Sequence, residues 1–148
     1  MIEVLQLFKL DDTERNLGRE TVVSFLSTHL ERWRDDEFSI EKAIDYVLDP
    51  LPGKGGFILA AIEAGELAGI LVMLKTGMSE FVPQNLLVYI AVDSAKRGRG
   101  IGKLLINKAK DLSDGDIALH VEPDNPARHL YSHLGFGSKY IEMRWKRN

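Results

Sequence analysis

The sequence predicts a mixed α/β fold, a central sheet with both parallel and antiparallel strands and helices on its faces. Three observations carry that reading. Apolar residues change period along the chain, in the order strand, two helices, two antiparallel strands, then strand, helix, strand, helix and a last strand. Gly65-Glu66 separates two apolar runs as a hairpin turn does. A further apolar run, Leu86 to Val92, leads through a polar turn and a loop with glycine at 98, 100 and 102 into helical spacing at Ile101, Leu104, Leu105, Ala109 and Leu112. With 148 residues, one domain over 1–148 is expected.

Taken in order, Ile2 to Leu10 alternates as a first strand, with Ile2, Val4 and Leu10 on one side and Leu5 and Leu7 on the other. Asp11-Asp12-Thr13 offers helix-capping chemistry. Val22, Val23, Leu26, Leu30 and Trp33 recur at helical spacing and carry the first helix to about Trp33. The charged link from Arg34 to Glu37 reads as a solvated loop, with an acidic lip that attracts a cationic amine as the functional alternative. Ser39 is expected to cap a second helix whose apolar face is Ile40, Ala43, Ile44, Val47 and Leu48. Asp49-Pro50 stops it, because the residue before proline is driven out of the helical region.

A glycine-rich loop then leads into strands over Phe57–Ala64 and Leu67–Lys75, and a polar connection from Thr76 to Asn85 precedes the central strand. The helix after the glycine loop ends around Ser113 to Asp116, with Gly115 suited to a left-handed cap. In the next strand Ile117, Leu119 and Val121 share one face and Ala118, His120 and Glu122 the other. Asn125 and Pro126 suit the cap and first position of a last helix, lined by Ala127, Leu130, Tyr131 and Leu134 and ended by Gly135. Tyr140, Ile141, Met143 and Trp145 suggest a final strand before Lys146-Arg147.

Composition narrows the function. A net charge of −3 gives no support for nucleic-acid binding, and the absence of cysteine removes disulfides and cysteine-ligated metal. The longest apolar region, Phe57 to Leu74, is broken by Glu63, Gly65, Glu66 and Gly69, so no membrane span is expected. Met1-Ile-Glu-Val lacks the basic start of a signal peptide, and the expectation is a soluble, cytoplasmic protein. His129 and His133 stand four apart, but Leu130, Tyr131 and Ser132 separate them with no glutamate and no third ligand. No metal is expected there.

The chemistry concentrates in the glycine loop. A new helix presents backbone N–H groups with no partner and the positive end of its dipole. Glycine lets an anion approach the backbone, and Arg97, Arg99 and Lys103 add charge, so a phosphate or pyrophosphate is the natural guest. The dinucleotide pattern G-x-G-x-x-G fails, its third glycine falling on Lys103 or on Leu105. The P-loop fails too, with Arg97 where its first glycine belongs and Leu104 where Ser or Thr is needed.

What fits is Arg97-x-x-Gly100-x-Gly102 after an apolar strand ending at Val92, which resembles the pyrophosphate signature of the GNAT superfamily of acyl-CoA-dependent N-acyltransferases. One helix and one strand later, Leu119-His-Val121, Asn125, Leu130-Tyr131 and Leu134-Gly-Phe136 resemble the second half of that family's pattern. The resemblance implies a splayed strand pair, with acetyl-CoA in a V-shaped gap between the central strand and the strand at Ile117–Val121. It assigns the pantetheine arm to the backbone at Ile90, Ala91 and Val92 and to Asn125, and the pyrophosphate to Arg97, Gly98, Arg99, Gly100, Ile101, Gly102 and Lys103. It sets Tyr131 beside the sulfur as general acid for the leaving thiolate, and implies transfer of an acetyl group to a primary amine by direct attack. A backbone N–H near Val92 would polarise the thioester carbonyl.

The sequence departs from the family in two places. The interval from asparagine to Tyr131 is one residue short, so either Asn125 or Asp124 fills the pantetheine position. Leu86 stands where many members carry a glutamate base, leaving Glu80, His120, Glu122 or water for that role. The missing carboxylate also motivates the alternative of a non-catalytic acyl-CoA-binding or sensing module. The amine acceptor is not encoded in any motif, and a homodimer is left open.

Overall fold

The computed structural model describes residues 1–10 and 17–148. Its sheet has five strands in the order β1-β2-β3-β4-β5, namely β1 (Ile2–Leu7), β2 (Gly56–Glu63), β3 (Glu66–Lys75), β4 (Asn85–Val92) and β5 (Ile117–Leu119). The pairs from β1 to β4 are antiparallel and β4 pairs with β5 in parallel, which is the mixed sheet expected. Helices α1 (Arg19–His29) and α2 (Glu37–Val47) cover one face, and α3 (Ile101–Leu112) and α4 (Ala127–His133) the other.

Strands β2 and β3 are apolar on both sides because both faces are covered. Ile58, Ala60, Ile70 and Val72 pack with Leu26, Ile40 and Ile44 of α1 and α2. Leu59, Ala61, Leu71 and Met73 pack with Ile101, Leu105 and Ile106 of α3. Gly69 lets α3 approach closely, since a Cβ there would stand 2.9 Å from Leu105 Cδ1 and 3.1 Å from Ile101 Cγ2.

The structure differs from the sequence reading at several element ends. Leu10 packs with Leu5 and Leu7, because the strand stops at Leu7 and alternation no longer governs it. The proposed cap at Asp11-Asp12-Thr13 lies outside the described residues. Helix α1 stops at His29, and Trp33 belongs to a separate 3-10 turn over Glu31–Trp33 that opens on Glu31 at φ 56°. Asp36, not Ser39, caps α2: its carboxylate accepts from the Ser39 N–H at 2.8 Å, an anion at the positive end of the helix.

The hairpin turn is Ala64-Gly65, one residue earlier than expected, with both residues at positive φ as a two-residue type I′ turn requires. Leu104 is exposed and Ile106 takes its place in the core. Gly115 is not left-handed; α3 closes on Ser113, whose hydroxyl donates to the Ala109 carbonyl at 2.7 Å. Gly115 instead leaves room for the Gln84 side chain, which accepts from the Asp116 N–H at 3.0 Å.

The largest difference concerns the last segment. No strand forms after α4, and Tyr140, Ile141, Met143 and Trp145 are 75% to 88% exposed. Alternation makes a segment fit to be a strand, but a strand also needs a neighbouring edge, and residues 137–148 do not lie against one.

Candidate functional site

Strands β4 and β5 are held together at one end and part at the other. The ladder pairs Asn85 with Ile117, Leu86 with Ala118 and Leu87 with Leu119, and ends there, whereas β4 continues to Val92. Asn85 fastens the closed end: its backbone N–H and its Nδ2 both donate to the Asp116 carbonyl, at 3.1 and 3.2 Å. From Val88 to Val92 the edge of β4 that faces β5 has no strand partner.

A bulge marks the place where they part. Tyr89 pairs with Val72 and Leu87 with Met73 on β3, so Val88 is an extra residue. Val88 and Tyr89 consequently both face α1 and α2, while Leu87, Ile90 and Val92 face α3. Ile90 and Val92 are half-buried beside the gap, and Ala91 is buried on the opposite face. A bulge adds local twist, which turns the end of β4 away from its neighbour.

At the open end the chain turns into α3. Asp93 accepts from the Ala95 N–H at 2.9 Å and shapes a short 3-10 turn over Ser94–Lys96. Gly98 and Gly100 then adopt φ values of 77° and 83°, which an L side chain resists. The first helical bond runs from the Leu104 N–H to the Gly100 carbonyl. Among the described residues, the backbone N–H groups from Arg97 to Lys103 find no protein acceptor. They gather at the positive end of a 12-residue helix. A Cβ on Gly102 would stand 3.1 Å from Leu130 Cδ2 and 3.9 Å from Val92 Cγ2, so the end of β4, the first turn of α3 and α4 meet at this glycine.

The basic side chains are less free than the backbone. Arg97 donates to the Val92 carbonyl at 3.3 Å, the His29 carbonyl at 2.6 Å and Glu31 at 2.9 Å. Arg99 pairs with Glu63 at 2.5 Å. Lys103 is exposed and makes no ion pair among the described residues.

Across the gap, Asn125 Oδ1 accepts from the Ala127 N–H at 2.9 Å and so caps α4, while its Nδ2 has no protein acceptor among the described residues. Asp124, the other sequence candidate, is exposed and pairs with Arg32 at 3.5 Å. Gly135, at φ 96°, ends α4, and the Phe136 N–H closes the turn on the Tyr131 carbonyl at 2.9 Å.

Tyr131 sits half-buried in the apolar layer, 6.1 Å from the Phe136 ring centroid in an edge arrangement. Burial pushes its phenol up to about 12, and its hydroxyl has no protein partner among the described residues. Of the remaining candidates, Glu80 is exposed in the connection before Asn85, at the far end of β4 from the glycine turn. His120 and Glu122 are exposed just past β5.

One pair escaped the sequence reading. The Tyr89 hydroxyl donates to Asp35 at 2.6 Å, joining β4 to the connection before α2. Burial, and then the Asp35 carboxylate, raise the Tyr89 phenol well above its ordinary value. The charged link is exposed, as a solvated loop is, and Asp35 and Asp36 tie it down at two points. No local signal announces this pair, because 54 residues separate its members. Among the described residues no group of three potential metal-ligating side chains comes together, and no helix is long and apolar enough to cross a membrane.

No curated protein matches the sequence. Solved structures similar to it include a transcriptional regulator from Bacillus halodurans C-125, at 17% identity and TM-score 0.70, covering 99% of this chain and 100% of that one. The ribosomal-protein-alanine N-acetyltransferase from Brucella melitensis biovar Abortus 2308 is 20% identical, with TM-score 0.64 and 99% of each chain covered. The aminoglycoside N-acetyltransferase AAC(6')-Iy, solved in complex with CoA, is 14% identical with TM-score 0.72, covering 99% of this chain and 95% of that one. At such identities the likeness is one of fold. The family model described as Acetyltransferase (GNAT) family matches residues 19–136, from the start of α1 through the end of the glycine-capped α4, and the chain belongs to that family.

Proposed function

We propose that this GNAT protein transfers an acetyl group from acetyl-CoA to a primary amine by direct attack, with no covalent enzyme intermediate. The observation that carries the proposal is the run of backbone N–H groups from Arg97 to Lys103 without protein acceptors, at the mouth of the parted β4 and β5. Those donors suit the pyrophosphate, and the cradle is open, since a Cβ at Gly98 or Gly100 would meet nothing within 4 Å. Asn125 Nδ2 and the unpaired edge of β4 at Ile90 to Val92 supply polar partners for the pantetheine amides.

Acetyl-CoA supplies an activated thioester. A backbone N–H near Val92, on the unpaired edge of β4, polarises its carbonyl. Tyr131, protonated at neutral pH, donates a hydrogen bond to the departing sulfur. The amine must reach the site neutral. With Leu86 in place of a strand carboxylate, its proton leaves through Glu80, His120, Glu122 or water. The acceptor faces α1 and α2, where Asp35 is fixed by Tyr89.

The test has two arms. In an NMR titration with CoA, the amides of Gly98 to Lys103 shift together, and an unmoved set overturns the binding site. In a screen of amine classes, acetyl-CoA is consumed with at least one of them. The absence of a carboxylate at Leu86 favours a second reading, an acyl-CoA-binding or sensing module. That module gives the amide shifts and no transfer to any amine.

A further inference from the structure

The bulge at Val88 aims a side chain as well as bending β4. Leu87 faces α3, so plain alternation would return Tyr89 to that face. The extra residue puts Tyr89 on the α1 and α2 face instead. There the ring is buried, at 7% exposure, and its hydroxyl donates to Asp35 Oδ2 at 2.6 Å, a length proper to a bond with a charged carboxylate. Bulges beside reactive centres re-aim side chains in this way. This one lies where β4 loses β5 as its neighbour.

Asp35 is the other half of the pair. It is exposed, in the connection before α2. Among the described residues its second oxygen, Oδ1, has no protein donor, and its carboxylate makes no ion pair. The charges around it are committed elsewhere: Asp36 to the Ser39 N–H, Glu31 to Arg97 and Arg32 to Asp124. Arg34, one residue earlier, forms no ion pair among the described residues. Burial and the facing carboxylate keep the Tyr89 phenol protonated, so the negative charge of the pair stays on Asp35.

We infer that Asp35 is the general base of the transfer and that Tyr89 is the residue that positions it. This rests on the acetyl-transfer reading above. Strand β4 has Leu86 where a carboxylate is expected, and holds one through Tyr89 instead. Glu80 stands at the far end of β4, and His120 and Glu122 lie past β5. Asp35 stands one tyrosine side chain away from β4, on the face of α1 and α2. The stretch it overlooks, from Val88, is the one given to the thioester. The incoming ammonium donates to Oδ1 and gives up one proton there. The freed nitrogen pair forms the N–C bond, and the C–S bond breaks with its pair going to sulfur. A second nitrogen proton passes to water as the amide forms, and Asp35 returns its own proton to solvent.

The test uses an amine found in the screen. Asp35→Asn keeps the shape of the side chain and can still accept from Tyr89, but carries no charge. It is expected to lower kcat at pH 7 by at least about 100-fold. The KM for acetyl-CoA should stay within about twofold, and the CoA-induced shifts of the Gly98 to Lys103 amides should match the parent. The deficit in kcat should shrink as pH rises and the amine loses its proton unaided, whereas a merely structural role leaves it constant. Tyr89→Phe should lower kcat by about 10- to 100-fold through misplacement of Asp35, with the same sparing of the KM for acetyl-CoA. An Asp35→Asn chain with unchanged kcat, or with a deficit that does not vary with pH, overturns the inference and leaves acetyl transfer standing. A parent chain that acetylates no amine overturns both. Should Asp35→Asn fail to fold, Tyr89→Phe decides, and an unchanged kcat there overturns the inference.

Discussion

Replacing Tyr131 with phenylalanine removes one oxygen from a ring that is otherwise held by packing, so it separates chemistry from structure. The size of the effect follows from the environment of the phenol. Burial raises its pKa to about 12, so at pH 8 only about one molecule in ten thousand carries a phenolate. A thiol ordinarily titrates near 8.5, about 3.5 units lower, and complete transfer from Tyr131 to a thiolate is uphill by about 5 kcal/mol. In the proposed mechanism Tyr131 therefore offers a hydrogen bond to developing negative charge, worth about 1.5–3 kcal/mol. Tyr131→Phe should lower kcat by about 10- to 150-fold, with the KM for acetyl-CoA within about twofold of the original. The assay is initial-rate release of free thiol with an amine found in the screen. An unchanged kcat removes Tyr131 from the mechanism, and a loss confined to KM returns it to packing. The pH profile adds a second check. Rate should rise with deprotonation of the amine or its base and show no falling limb below about pH 10. A falling limb in that range that disappears in Tyr131→Phe refutes the effect of burial on the phenol.

The same phenol couples to stability with a definite sign. Its folded pKa of about 12 exceeds the ordinary value near 10, so its contribution is intact below about pH 10 and is lost as pH rises towards 12, by about 3 kcal/mol. Urea midpoints on either side of that window should therefore fall less in Tyr131→Phe than in the parent, with Tyr89 causing the remaining loss in the same direction. Gly100→Ala places a side chain at φ 83° in open space, so it should cost about 1–2 kcal/mol in urea denaturation, and Gly100→Asn less. Gly69→Ala drives a methyl to 2.9 Å from Leu105 Cδ1; it should cost about 1–3 kcal/mol by overpacking and, by lifting α3, weaken CoA binding in calorimetry.

What the sequence could and could not reveal follows from how far each signal reaches along the chain. The turn from β4 through Gly98, Gly100 and Gly102 into α3 is a local change of period, and it was legible. So were the Asn125 cap and the Gly135 stop, because each is written within a few residues of the helix it serves. The Val88 bulge was not legible. Leu86 to Val92 is apolar throughout except for the Tyr89 hydroxyl, and a run with no polar alternation has no phase to break. The partners of Tyr89 and Arg97 lie in the corner after α1, more than 50 residues away. Residues 140–145 carry the alternation of a strand, yet alternation does not say which edge receives it. Asp36 and Ser39 both suit a cap, and composition alone does not choose between them.

The corner after α1 also changes how the charges of the glycine turn are understood. Arg97 holds two carbonyls and Glu31, and it reaches across from the loop after β4 to the end of α1. The Ser94 N–H donates to His29 Nδ1 at 3.2 Å in the same corner, and Arg32 faces Asp124 on the other side of the gap. The exposed Arg97–Glu31 pair by itself contributes little. The bonds to the His29 and Val92 carbonyls weigh more, since a charged donor to a neutral acceptor is worth about 1.5–3 kcal/mol. A phosphate that drew Arg97 to itself would have to displace those bonds, whereas the N–H groups of Gly98 to Lys103 have nothing to give up. On that balance the proposed anion site rests first on the backbone. Arg97 then serves first to fix the corner after α1 against the end of β4, so under the proposed function the acceptor side takes its geometry from the same turn that receives the donor.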